Sequence, residues 1–189
     1  MNVKLYLCSI LFALTAHACF ASTSFKDHNL VVKVQQIEDR KFATYASFVL
    51  PLKHCQAWKY LVNYNSSELI PGVVSTQTER MTNSKARVKL VMEESILFFK
   101  VRMLSVIDFV EIFDSGTDFL QISGDSKSFQ GAWRIQPSGD GTKFVYTSVF
   151  QPDSLMPMVV IKYFFDRRLR NSFAAIADIG ASQQHVACD

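Results

Sequence analysis

The chain has 189 residues, 49% of them hydrophobic and 13% aromatic, with 20 Lys and Arg against 17 Asp and Glu. That length is ample for one domain with its own core, and a composition so apolar excludes a disordered or fibrous chain. The formal charge of +3 is too small for a generic nucleic-acid binder, which neutralises phosphates with clustered cations; sixteen Phe against two Trp are the unusual feature.

In chain order, the first segment is not part of the domain. Lys4 precedes the apolar run Leu5–Ala16, about a dozen residues where a bilayer span needs about 20, and small residues follow it. Residues 1–21 read as a secretory signal peptide, with cleavage after Ala18 or, by slight preference, after Ala21. Cleavage after Ala18 would leave Cys19 at the new N-terminus, where a bacterial lipoprotein carries its lipid, but the preceding Ala16-His17-Ala18 lacks the usual leucine. The expectation is an exported protein, periplasmic or secreted, with one domain over residues 22–180 and a tail over residues 181–189.

Without Cys8 and Cys19, the chain keeps Cys55 and Cys188, a pair in a compartment that can be oxidising. Two readings are open: a disulfide tying the last residues to the first helix, or a packed Cys55 with Cys188 in a frayed tail. The sequence has no CxxC and no Cys/His cluster at zinc spacing, so no metal site is expected.

Leu30–Ile37 alternates, and Phe42–Leu50 follows the polar turn Glu38-Asp39-Arg40-Lys41, which predicts a hairpin. Pro51 ends the second strand. In Lys53–Asn63, Ala57 with Leu61 and Trp58 with Val62 recur four apart, the spacing of a short amphipathic helix. Ser66 or Ser67 can cap a brief turn through Leu69 before Pro71 and Gly72 break it. From Val73 to Phe150 the pattern predicts strands over Val73–Arg80, Lys85–Glu93, Leu97–Asp108, Val110–Asp114, Phe119–Ser123, Lys127–Gln136 and Thr142–Phe150. The connections are short, and one contains the hairpin signal Asp140-Gly141, so the sheet must be antiparallel.

Beyond Pro152 the period becomes helical. Pro157 suits a first helical position, and Met158–Ile179 carries the apolar stripe Ile161, Phe165, Leu169, Phe173 and Ile176, with Gly180 placed to close it. Lys162, Asp166, Arg167 and Arg170 occupy the other side. Only a curved sheet offers enough surface to bury that stripe. Alternation along the strands assigns its inward face: Ala86, Val88, Leu90 and Met92; Phe99, Val101, Met103 and Ile107; Phe129, Gly131, Trp133 and Ile135; and Phe144, Tyr146, Ser148 and Phe150. The aromatic residues of that face have two readings, a solid core or the lining of an apolar cavity.

The segments FVLPLKHCQAWKYLVNYNSSELIPGVVST, SILFFKVR, GDSKSFQGAWRIQPSGDGTKFVY and PDSLMPMVVIKYFFDRRLRNSFAAI follow one another in this order. Together they resemble the polyketide cyclase/dehydrase and coenzyme Q-binding branch of the START-like (SRPBCC) superfamily, over roughly Phe42–Ile179. The most specific portion is the strand Phe129-x-Gly131-x-Trp133, then Pro137–Thr142, then the terminal helix. The resemblance implies an α+β helix-grip fold, in which a curved antiparallel sheet wraps a long C-terminal helix and a short helical segment follows the second strand. It also implies an apolar tunnel for a lipid, isoprenoid quinone, sterol or polyketide-like molecule. On that reading the ligand meets Phe99, Val101, Met103, Phe129, Gly131, Trp133, Phe144, Tyr146 and Ser148 of the sheet and Ile161, Phe165 and Leu169 of the helix, with Ser105 as a further polar candidate. Two departures limit the transfer: the quinone-binding relatives lack an export signal, and the family has no single catalytic motif to match.

No enzyme signature stands out. His28, His54 and His185 are scattered, no P-loop ending follows Gly139-Asp140-Gly141, and no catalytic residue, metal or cofactor is expected. Glu93 and Glu94 are adjacent on a strand and must face opposite ways, leaving one of them for general acid–base work beside Tyr146. Arg167, Arg168 and Arg170 read as a solvated helix face or as a contact for anionic headgroups, with Pro152–Val160 as a lip that meets a membrane. Two functions follow: a carrier of a hydrophobic small molecule, or a cyclase or dehydratase acting in the same cavity. Ligand identity and oligomeric state are not readable from the sequence.

Overall fold

The computed structural model describes residues 28–96, 99–153 and 157–188. Residues 1–21, read as an export signal, with Cys19 and both expected cleavage positions, lie outside the described residues, as does the centre of the segment Pro152–Val160 read as a lip. Eight strands form one antiparallel sheet: β1 (Val31–Glu38), β2 (Lys41–Leu50), β3 (Val73–Thr82), β4 (Lys85–Ile96), β5 (Phe99–Ile112), β6 (Gly116–Gly124), β7 (Ser126–Ser138) and β8 (Gly141–Pro152). Their order is β1-β2-β8-β7-β6-β5-β4-β3. Most neighbours are hairpins. The exceptions are the return of β8 beside β2, and the step from β2 to the far edge at β3, which α1 (His54–Leu61) and a 3-10 turn (Tyr64–Leu69) carry across one end of the sheet.

Two expectations about the strands are corrected. Leu97–Asp108 and Val110–Asp114 are not separate: β5 runs unbroken through Phe109, which pairs with Ala86 on one side and Phe119 on the other. Asp108 marks no turn; it faces outward, where Arg87, directly opposite, donates to its two oxygens at 2.7 and 2.9 Å. In the β7–β8 hairpin, Gly139 alone takes a left-handed conformation, with φ at 56°, and Gly141 already pairs with Ser138. The glycine the turn requires is therefore the one before Asp140, not the one after it.

The terminal helix runs along the concave face in three parts: α2 (Met158–Tyr163), a π turn (Phe164–Arg168) and α3 (Leu169–Ala181). The π turn has a reason in the spacing of the stripe. Steps of four advance about 40° each on a 3.6-residue helix, so a regular helix would carry Phe173 about 120° away from Ile161. A wider turn between them takes up drift and lets both sit buried against the sheet, at 2% and 4% exposure. Gly180 does not close the helix as its position suggested. It is buried inside α3, where a Cβ would stand 2.5 Å from Leu50 Cδ1 and 2.7 Å from Tyr60 Cε1, so its role is close packing.

Cys55 and Cys188 form a disulfide with Cα atoms 5.8 Å apart, closing a sequence separation of 133 residues. The tail is not frayed. Gln56 Nε2 donates to the carbonyls of Gln184 and Val186 at 2.7 and 2.9 Å, and Lys59 Nζ donates to that of Ala187 at 2.8 Å. Among the described residues no helix is long and apolar enough to cross a membrane.

Candidate functional site

The inward side chains of the sheet do not fill the space beneath the terminal helix. Two cavities remain there, of about 150 and 160 Å³, and Leu90 and Ile107 belong to the walls of both. Between them stands an aromatic partition. Trp133 packs on Tyr146 with ring centroids 4.8 Å apart, and Phe173 of α3 closes the triangle at 5.1 and 6.0 Å. Only together do the two chambers reach the lower end of the roughly 300–1,000 Å³ usual for small-molecule sites.

The first chamber collects most of the expected ligand-facing residues. Val101, Met103, Phe129, Tyr146 and Ser148 line it from the sheet, and Ile161, Phe165 and Leu169 from the helix. Trp133 and Phe144 belong instead to the second chamber. The side chain of Phe99 lies outside the described residues; its backbone pairs with Ile96 where β4 meets β5. Gly131 leaves no room for a ligand, because the Phe119 ring already occupies its inward space: a Cβ there would stand 2.6 Å from Phe119 Cζ and 2.2 Å from the Thr147 carbonyl. Gly131 borders a hollow of about 670 Å³ on the outer face, beside Lys33, Tyr45 and Gln130. The walls of that hollow are solvent-facing strand side chains, which do not enclose an apolar molecule.

The polar groups of the first chamber are few. Tyr146 is buried; burial raises its hydroxyl well above the ordinary tyrosine range, and a hydrogen bond with Ser148 opposes that rise. It therefore stays protonated and can donate. Thr44, Ser105 and Tyr163 add further hydroxyls, and Ser105 donates to Gln121 Oε1 at 3.3 Å. Two charges share this wall. Glu94 Oε2 lies 3.0 Å from Arg168 Nε, joining β4 to the π turn. Glu93 points the other way and pairs with Lys100 at 3.1 Å, as the alternation of a strand requires. Arg168 thus stands at the edge between cavity and solvent, whereas Arg170 is exposed and reaches the Leu30 carbonyl at 3.4 Å.

The second chamber is held by a different network. Tyr64 Oη donates to Glu111 Oε1 at 3.0 Å, Arg80 pairs with the same carboxylate, and its guanidinium lies 5.7 Å from the centre of the Tyr64 ring. Burial, then the neighbouring Glu111, raises the Tyr64 hydroxyl far above its ordinary value. Ser66 and Ser67 of the 3-10 turn line the chamber, and Ser67 shares a 2.8 Å hydrogen bond with Thr76. Thr117 also lines it; the residue is fully buried, and its hydroxyl has no hydrogen-bond partner. Alternation in β4 already turned Met92 inward, and two further residues along the strand give Glu94. The Tyr64–Glu111–Arg80 group left no such signal, because its members lie on three separate elements.

Two of the three expected histidines are tied to the fold. His28 Nε2 lies 2.9 Å from Asp178 Oδ1, and His54 Nε2 lies 2.7 Å from the Asp114 carbonyl.

A family model described as polyketide cyclase / dehydrase and lipid transport matches residues 50–177. No curated protein matches the sequence. Among solved structures, the fold is similar to a STAR-related lipid transfer protein from Xanthomonas axonopodis, at 12% identity and a TM-score of 0.61, over 79% of this chain and 98% of that one. It is also similar to the Zhui aromatase/cyclase of a Streptomyces species, at 13% identity and a TM-score of 0.60, over 76% and 93% of the two chains. A conserved protein from Geobacillus kaustophilus aligns at 17% identity with a TM-score of 0.56, over 76% and 97%. At such identities the likeness establishes the helix-grip architecture, and the chemistry of the cavity must be argued from its own residues.

Proposed function

The chain belongs to the polyketide cyclase / dehydrase and lipid transport family, and from that premise we propose that it is an exported carrier of a hydrophobic small molecule. The candidates are a lipid, an isoprenoid quinone or a polyketide-like compound. The observation that carries this reading is the first chamber, an apolar space between sheet and terminal helix with five hydroxyls and one ion pair on its wall. Apolar walls favour a ligand by the area they remove from water, and the sparse polar groups fix its orientation. Export is supported by the character of residues 1–21 and by the Cys55–Cys188 bridge, which suits an oxidising compartment. Contact with a membrane surface during loading is part of the same proposal, because a water-insoluble ligand has to be collected from a lipid phase.

The cyclase or dehydratase reading has one observation behind it, the carboxylate of Glu94 on the chamber wall. Its partner Arg168 makes it a fixed counter-ion rather than a free base, and burial keeps Tyr146 protonated, so carriage accounts for more of the site. Native mass spectrometry of protein purified from an exported fraction, followed by organic extraction, tests the proposal. The expected result is one hydrophobic molecule per chain. Protein that is always empty and binds no apolar fluorescent probe would overturn it.

A further inference from the structure

The only charged residues on the described wall of the first chamber are Glu94 and Arg168. An ion pair in an otherwise apolar wall costs desolvation and is poor evidence of stability, so its placement calls for another explanation. Glu94 is fixed by the backbone. It sits against Gly72, whose φ of 91° belongs to the left-handed region, and a Cβ at that position would come within 2.6 Å of Glu94 Oε1. The Gly72 carbonyl also accepts the Glu93 N–H at 2.7 Å, which ties the start of β3 to β4 at this point.

Glu94 Oε2 approaches the guanidinium at Nε, 3.0 Å away, as an ion pair without hydrogen-bond geometry, since the buried Nε–H has no hydrogen-bond partner. Among the described residues no acceptor reaches the two Nη nitrogens of Arg168, and its side chain is 38% exposed, at the boundary between cavity and solvent. A guanidinium offers five N–H donors in a rigid fork, and its Nη edge matches a carboxylate with two parallel charge-assisted bonds. A hydroxyl or ester head takes a single weaker bond there, and a purely apolar ligand takes none. The π turn brings this fork to the chamber, for Phe164, Phe165, Arg168 and Leu169 all line one wall.

Resting on the carrier reading, we propose that the ligand is an amphiphile with a carboxylate head, anchored by the Nη edge of Arg168, with its tail in the first chamber. Glu94 is the positioning residue, whose carboxylate attracts the guanidinium by charge from the Nε side.

The test uses the intact mature protein and three probes of one chain length: decanoate, decanol and methyl decanoate, each displacing the neutral fluorophore N-phenyl-1-naphthylamine. Wild type is expected to bind decanoate at least tenfold more tightly than the other two. In Arg168→Gln the acid falls to the level of the alcohol, while alcohol and ester stay within about twofold of wild type, which also reports an intact chamber. Arg168→Lys keeps the charge but not the fork and retains only part of the preference. Equal binding of all three probes to wild type and to Arg168→Gln overturns the anchor and leaves the carrier reading standing. Loss of decanol binding in Arg168→Gln together with decanoate assigns Arg168 a structural role and also overturns it. If no probe displaces the fluorophore from wild type, the carrier reading itself falls, and the anchor with it.

Discussion

The two chambers are built on the same concave face and share Leu90 and Ile107, yet they are held by different means. The second is bounded by groups already committed to one another: Tyr64, Glu111 and Arg80 form a closed set, Tyr60 Oη donates to the Ile176 carbonyl at 2.7 Å, and the nearby α1 is tied to the tail by a disulfide. The first is bounded by a π turn and by an arginine whose Nη edge meets no acceptor among the described residues. The difference teaches where this fold stores rigidity and where it keeps capacity. Hydrogen bonds and a covalent tie fix one end, and the other end keeps polar groups that a ligand can still satisfy.

Breaking the fixed end has the largest expected effect. In the chain-entropy account, a disulfide spanning 133 residues contributes about 5 kcal/mol by restricting the unfolded chain. The double variant Cys55→Ser/Cys188→Ser should lose stability on that order in urea titration. Amide exchange should accelerate first in α1 and the tail, and the π turn should be little affected. Faster exchange centred on α2 and the π turn would show that the tie does not divide the molecule as described.

Removing the partition comes next. Trp133 is only partly buried against the core, so Trp133→Ala should cost somewhat less than the roughly 3–5 kcal/mol usual for a fully buried aromatic side chain. Because it merges the chambers, it should also shift the preferred ligand toward longer chains, read as a change in the rank order of C8 to C16 acids. An unchanged rank order would mean that Tyr146 and Phe173 alone separate the two spaces.

The smallest effect sharpens the comparison most. Thr117 buries a hydroxyl without a partner, so Thr117→Val should be neutral or stabilising by up to about 1 kcal/mol, since an unmet hydrogen-bonding group is replaced by a methyl. A loss of more than that in urea titration would show that a bound molecule satisfies the hydroxyl, and that the second chamber, like the first, takes a guest.

Which residues face the helix was legible in the sequence because the side-chain period of a strand is a local property. Met103, Phe129, Tyr146 and Ser148 could each be placed from their neighbours alone, and so could the opposed directions of Glu93 and Glu94. The helical stripe was legible for the same reason, although its steps of four concealed a π turn that relieves their angular drift. Gly131 shows the limit. A small inward residue reads as vacant space until the cross-strand partner is known, and here the ring of Phe119 fills it.

What the sequence by itself determined is the antiparallel sheet, the apolar terminal helix, the inward face of four strands and the family. All but the family follow from composition, period and turn chemistry, which act over a few residues; the family rests on the resemblance of whole motifs, which residues 50–177 bear out. What only the tertiary structure decided is how that face is divided. The partition by Trp133, Tyr146 and Phe173, the pairing of Arg168 with Glu94, and the bridge from Cys55 to Cys188 are distances between positions remote in the chain. Such distances are set by the curvature of the sheet and the seat of the helix upon it, which no local pattern encodes.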